Sequence, residues 1–239
     1  SQDPDLNRSG AEVTDAKAGV DTVQSVVLDF MTYFNAITDD RRANPRNDIA
    51  TIIANGKVNG EPLGYLEAMS YYIIAATAGH DTTSSTTAGA FWALAENPDQ
   101  FRKVKANPAL IPGLIEESIR WVTPVKHFMR TATADTELAG KKIAKGDWLM
   151  LCYPSGNRDE AVFTDPFRFD IERSPNKHVA FGYGAHICLG QHLARMEMRI
   201  LWEELFARLD SFELDGQPKN MVANFVCGPK SVPVRYNMN

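Results

Sequence analysis

Cysteine is scarce in this chain: Cys152, Cys188 and Cys227 are the only three among 239 residues. None stands in a Cys-x-x-Cys pair. The sequence therefore offers neither a disulfide framework nor the ligand spacing of a structural zinc site, and a reducing, cytoplasmic setting is expected. Long uncharged apolar runs are missing too. The longest candidate, residues 63–94, is broken by Glu67, His80 and Asp81, which argues against a membrane span. The opening Ser1-Gln-Asp-Pro carries no signal-peptide pattern, and there are no repeats or low-complexity tracts. Charge of one sign is not in large excess: 25 Lys and Arg against 30 Asp and Glu give a formal net charge of −5. Nucleic acid and anionic membrane are therefore not expected partners. With 44% hydrophobic and 23% charged residues, the composition is that of a soluble globular protein able to bury a sizeable core.

What is present concentrates in one stretch, Phe181-Gly-Tyr-Gly-Ala-His-Ile-Cys-Leu-Gly190. It places Cys188 in a glycine-studded loop just before Gln191–Trp202, which reads as a helix. A helix N-terminus offers unpaired N–H groups and positive dipole potential, and both favour a thiolate over a thiol. Gly182, Gly184 and Gly190 permit positive φ and let backbone amides approach the sulfur. A dinucleotide fingerprint fails, because Ile187 stands where the third glycine of Gly-x-Gly-x-x-Gly belongs. On loop chemistry alone, a metal-binding thiolate competes with a buried, inert cysteine.

Two further motifs lie upstream. Leu66, Met69, Ile73, Ile74 and Thr77 recur at helical steps and predict a helix with one buried face. Ala75, Ala76, Ala78 and Gly79 then leave that face nearly bare, as a helix pressed against a flat cofactor requires. Asp81-Thr82 follows, an acid beside an alcohol in mid-helix, where both compete for backbone hydrogen bonds. A small-residue helix crossing with both groups solvated is the alternative. In the helical segment from Leu110 to Val122, Glu117 and Arg120 share a face at i, i+3 and can pair, either as a solvated surface pair or within a network.

Phe-x-x-Gly-x-His-x-Cys-x-Gly, preceded in order by Ala78-Gly79-His80-Asp81-Thr82-Thr83 and Glu117-Ser-Ile-Arg120, resembles the motif set of the cytochromes P-450. The resemblance runs from about Val20 onward and matches the C-terminal half of family members, which are nearly twice as long. It implies that Cys188 is the proximal ligand of a haem b iron (iron protoporphyrin IX). Phe181, Gly182, Gly184, Gly190, Ala78 and Gly79 would line that cofactor. Arg130 and His186 would meet its propionates, His186 being otherwise an ordinary loop histidine. Asp81 and Thr82 would deliver protons beside dioxygen. Glu117 and Arg120 would join Arg173 in a structural network, since buried charges are tolerable only when all are paired. Ile74, Thr77, Ala78, Val125, Phe128 and Val226 are the substrate-facing candidates, with core packing nearly as good an account of each.

The same resemblance predicts a mainly α fold with small β-sheets, residues 1–239 forming a single domain that is the family's C-terminal part. Breakers and periodicity place a loop over 1–19 and a helical stripe Val20, Val23, Val27, Phe30, Met31, Phe34, Ile37. They add a short helix at 48–55, the long central helix, and a helix from Pro98 to Ala106 capped by Asn97. Strands are expected at 126–132, 137–143 with a turn at Ala139-Gly140, and 148–153. Irregular chain should fill 154–180, and a closing hairpin-like region 212–236.

No flavin or nicotinamide motif is present, so electrons would come from outside, from a ferredoxin and an NAD(P)H-dependent reductase. His192, Arg195 and Arg199 form a basic stripe opposite Leu193, Met196, Ile200 and Leu201. That stripe reads as a ferredoxin dock or as a solvated helix face. The segments His127-Phe-Met-Arg-Thr-Ala, Tyr153-Pro-Ser-Gly-Asn-Arg and Gly228-Pro-Lys resemble soluble bacterial terpene hydroxylases of the terpineol type. The expected function is thus a monooxygenase hydroxylating a small apolar molecule with dioxygen. A peroxide-driven peroxygenase and an inactive haem-binding or structural remnant are the other readings.

Overall fold

A computed structural model describes residues 16–239, and these fall into two compact units, one ending at His80 and the other running from Asp81 to Asn239. The loop expected at 1–19 lies largely outside the described residues; its last four belong to the first turn of α1, Ala16–Ala43. In the first unit α1 is followed by α2 (Ile49–Ala54), a two-residue-per-strand hairpin β1–β2 (Lys57–Val58 and Glu61–Pro62), and the start of α3 (Tyr65–Glu96). Asp48 caps α2, its carboxylate accepting the Thr51 N–H. Phe34 of α1 stacks on Tyr72 of α3 at 5.0 Å between ring centres, and the Tyr72 hydroxyl donates to the Ala50 carbonyl.

The helical stripes are covered only in part. On α1, Phe34 and Ile37 are half-buried, while Val27, Phe30 and Met31 are exposed. On the part of α3 that belongs to this unit the buried positions are Ala68, Met69 and Tyr72. Leu66, Ile74 and Thr77, expected on the same buried face, are exposed instead. Periodicity locates an apolar face; which part of it is covered depends on where Tyr72 meets α1 and α2.

In the second unit, α3 continues into α4 (Pro98–Ala106), a 3-10 turn at Pro108–Leu110, and α5 (Ile111–Val122). Asn97 occupies the cap position of α4, but its side chain donates back to the Ala93 carbonyl of α3 rather than accepting from α4. The Asn97 carbonyl receives the Gln100 N–H instead. β3 (His127–Thr131) pairs antiparallel with β6 (Trp148–Cys152), His127 opposite Cys152. Between them β4 (Thr136–Leu138) and β5 (Lys141–Ile143) form a hairpin whose turn residues Ala139 and Gly140 both take positive φ, 47° and 74°. That is the geometry a two-residue hairpin turn selects. A short α6 (Tyr153–Gly156) opens the otherwise irregular run to residue 180, as expected. α7 (Gln191–Arg208) leads into β7 (Leu209–Leu214), paired with β10 (Val234–Met238), and β8 (Lys219–Asn220) pairs with β9 (Pro229–Ser231).

The core of this unit gathers Leu94 of α3, Val104 of α4, Leu114 and Ile119 of α5, Phe169 and Ile171, and Met198 and Trp202 of α7. Phe91, Trp202, Phe206 and Phe212 contact one another as tilted or edge-on rings within it. Chain segments pack closely on the helices where glycine permits. A Cβ on Gly113 would stand 2.1 Å from the Ile171 carbonyl oxygen, and one on Gly89 would stand 2.4 Å from Val122 Cγ2. On α7 the buried stripe is Met198, Trp202, Phe206, not Leu193, Met196, Ile200 and Leu201, which are exposed. Two large rings at i and i+4 define a deeper face than the four aliphatic positions do.

Candidate active site

The loop before α7 is folded around Cys188. The Cys188 N–H donates to the Phe181 carbonyl at 2.8 Å, and the Gln191 N–H reaches back to the Cys188 carbonyl at 3.4 Å. Gly182 and Gly184 sit at φ 72° and 73°, a region costly for any residue with a Cβ. A 3-10 turn at Gly184–His186 carries the chain across, and Gly190 is the N-cap of α7. The half-buried Cys188 is thus two residues before that N-cap, within the field of the α7 N-terminus. A Cβ on Gly184 or Gly190 would meet nothing within 4 Å, so the loop presents a bare face. Around it Leu189 is 98% and Tyr183 89% exposed, with Ile187 also exposed. Apolar groups so placed suit a large flat apolar partner.

Arg130 lies on β3 beside this loop. A cavity of about 510 Å3 is lined by Arg130, Met150, Cys152, Tyr153, Val179, Gly182 and Tyr183 among others. The guanidinium donates one N–H to the Met129 carbonyl, leaving its other donors directed elsewhere. His186 is exposed on the 3-10 turn.

Asp81 and Thr82 open the part of α3 that belongs to this unit. Their hydroxyl-rich surroundings bond back along the helix: Thr86 Oγ1 donates to the Thr82 carbonyl at 2.8 Å and Thr87 Oγ1 to Thr83. Such bonds loosen a helix locally. One turn beyond Thr82, the chain at Gly228 presses on Ser85, where a Cβ would come within 2.3 Å of the serine Cβ. That contact brings the 225–228 segment alongside α3. Val226 bridges Val125, with Lys126 N–H bonded to the Phe225 carbonyl and Cys227 N–H to the Pro124 carbonyl. Phe128 meets Phe225 edge-on at 5.3 Å. Val125 thus pairs with Val226, and Phe128 with Phe225, although the two segments lie far apart along the chain. Phe225 belongs with them and was missed; nothing in its local sequence pattern distinguishes it. Ile74, Thr77, Ala78 and Gly79 lie on α3 before Asp81, within the other compact unit.

Glu117 and Arg120 are fully buried, 0% exposed, and paired at 2.7 Å. Arg173 joins them, its Nε 3.2 Å from Glu117 Oε2. Glu117 also accepts the Asp170 N–H and the Asn176 amide. Arg120 donates to the carbonyls of Asn157, Pro166 and Arg168, and Arg173 to those of Thr164 and Asp165. Two guanidiniums thus hold the irregular run after α6 by its own backbone, which gives a strandless segment a fixed path. The surface-pair reading of Glu117–Arg120 is excluded by this burial.

Glu116, one residue before, holds a second network. His178 Nε2 lies 3.0 Å from its Oε2, and Arg195 grips both oxygens at 2.6 and 3.0 Å. Burial opposes ionisation of Glu116, but the hydrogen bonds and charges of His178 and Arg195 outweigh it and bring the carboxyl down to about 2. This corrects the basic stripe. Arg195 is held by Glu116 and Arg199 by Glu203, so two of its three members are matched by carboxylates.

Fold and loop together are those of a mainly helical protein that presents one cysteine at the foot of a long helix. The Cytochrome P450 family model matches residues 13–235. Cytochrome P450-terp of a Pseudomonas species is 49% identical over 234 residues, 98% of this chain and 55% of that protein. Linalool 8-monooxygenase of Pseudomonas putida is 36% identical over 94% of this chain and 55% of its own length. The crystal structure of CYP108D1 from Novosphingobium aromaticivorans superposes with a TM-score of 0.87 at 53% identity, covering 92% of this chain and 53% of that one. The chain belongs to the cytochrome P450 family. It spans about half the length of the relatives it matches.

Proposed function

We propose that this chain is the haem-binding part of a haem-thiolate monooxygenase, with Cys188 as the iron ligand. The observation that carries the reading is the Cys188 turn itself. It combines a half-buried sulfur ahead of α7, two positive-φ glycines, a bare loop face, and a cavity holding Arg130 next to Gly182. These residues fit an iron protoporphyrin. Cys188 would hold the metal, Gly184 and Gly190 would admit the flat ring, exposed Leu189, Ile187 and Tyr183 would supply apolar surface, and Arg130 and His186 would receive its carboxylates. Such a porphyrin, when bound, would supply dioxygen activation, strengthened by the Cys188 sulfur as electron donor.

The rest of the chemistry belongs to side chains of this chain. Asp81 and the Thr82 hydroxyl hold water and pass protons toward the dioxygen site, where α3 is loosened by its own threonines. Val125, Phe128, Phe225 and Val226 face a small apolar substrate and exclude bulk water. Terpenoid substrates are favoured by the likeness to Cytochrome P450-terp and to Linalool 8-monooxygenase. Electrons arrive from a ferredoxin-type donor with its reductase. Because Glu116 engages Arg195 and Glu203 engages Arg199, α7 offers little unmatched positive charge to steer that donor. Among the described residues no helix is long and apolar enough to cross a membrane, and a cytoplasmic site of action accords with that.

A carbon-monoxide difference spectrum of the dithionite-reduced full-length protein tests the ligand. The parent should show the strongly red-shifted Soret band of thiolate ligation, and Cys188→Ser should lose it. A histidine-type band in the parent, or survival of the thiolate band in the variant, refutes the reading. Comparing turnover on peroxide with turnover on ferredoxin, reductase and NADH separates monooxygenase from peroxygenase.

A further inference from the structure

Both backbone groups of Cys188 are bonded to residues that Arg195 holds. The Cys188 N–H goes to the carbonyl of Phe181, and the Arg195 guanidinium lies 4.6 Å above the Phe181 ring. The Cys188 carbonyl takes the N–H of Gln191, whose side-chain oxygen receives Arg195 Nη1 at 3.1 Å. Arg195 is fixed in turn by Glu116, and Glu116 by its place on α5 directly beside the buried Glu117. His178 closes the set. Its side chain is 3% exposed, its Nε2 is on Glu116, and its ring packs 5.9 Å from that of Phe181. An arginine fork on a carboxylate fixes direction as well as distance, and a guanidinium over a ring adds a second constraint.

We propose that Glu116, His178 and Arg195 form a positioning device that sets the cysteine turn against α5, clamping it from both sides through Phe181 and Gln191. It rests on the reading of Cys188 as the metal ligand for its consequence, but not for its geometry. Glu116 is the keystone, since it alone touches both of the other members. Loss of its charge leaves Arg195 one neutral amide oxygen in place of two carboxylate oxygens and frees it to swing to solvent. The turn then moves without any residue of it being changed, and the sulfur's hydrogen-bond surroundings move with it.

The test uses the full-length protein as parent, Glu116→Gln, Arg195→Lys and, as control, Glu203→Gln, which breaks only the exposed pair with Arg199. Hydrogen exchange on haem-free protein should be about tenfold faster in peptides covering 181–191 for Glu116→Gln and Arg195→Lys, with 198–206 unchanged. The control should match the parent. In haem-loaded protein, the share of reduced carbon-monoxide absorbance outside the thiolate band should rise by about twofold or more in the same two variants. Both changes are required. Unaltered exchange at 181–191, equal acceleration at 198–206, or an unaltered spectrum overturns the device. Absence of the thiolate band in the parent overturns instead the assignment of Cys188, while the exchange comparison still decides the clamp.

Discussion

At the scale of single residues, two adjacent glutamates on α5 do different work. Glu117 is sealed with Arg120 and Arg173, and removing its charge while keeping its shape leaves two guanidiniums facing no anion. Glu117→Gln is therefore expected to cost about 3–5 kcal/mol, read as a lowered urea midpoint in the full-length protein. Glu116 is about a third exposed and has a pH signature. Its carboxyl is lowered from an ordinary value of 4.5 to about 2 in the folded state. The stabilisation it provides is present above pH 4.5 and is lost as pH falls from there through about 2. Solvent screening at such an exposed group reduces the effect to about 1–2 kcal/mol. Urea midpoints measured from pH 5 to pH 2 should fall more steeply for the parent than for Glu116→Gln; parallel curves would show the network to be idle. The i, i+3 spacing showed that Glu117 and Arg120 can pair, while the network with Arg173 was legible only through the family resemblance. Glu116 was not legible, because its partners His178 and Arg195 lie far along the chain and only packing brings them to it.

At the scale of elements, helices and hairpins follow local rules closely, and the exceptions are instructive. The turn at Ala139-Gly140 was readable, yet Ala139 takes φ 47°, where an Asn would sit more easily. Ala139→Asn should raise stability by about 0.5 kcal/mol, seen as a small upward shift of the urea midpoint. No shift or a fall would mean that the turn is held by its neighbours. Asn97 shows the opposite case, a residue in the right place for a cap that spends its amide on the preceding helix. On α7 the face carrying Met198, Trp202 and Phe206 was buried in preference to an equally apolar one. A sequence shows that a helix has apolar positions on several sides. Which side is covered depends on the partners, here α5 and the aromatic residues Phe91 and Phe212.

At the scale of the molecule, the second unit is organised around α5 and the buried stripe of α7, and the irregular segment is tied to them by arginines. Native-state hydrogen exchange should therefore be slowest in Leu114–Ile119 and around Trp202, and fastest in the exposed β4–β5 hairpin. A reversed order would place the stable core elsewhere. The sequence by itself determined the family, the helical class, the cysteine turn and the chain order of its motifs. Those depend on residues close together along the chain, and on backbone angles that glycine permits. Only the tertiary structure decided that Phe225 meets Phe128, that Gly228 rests on Ser85, and that Arg195 of α7 is matched by the carboxylate of Glu116. Each of those joins groups separated by many residues, and pairings at such distances are settled by shape and burial, which no local pattern records.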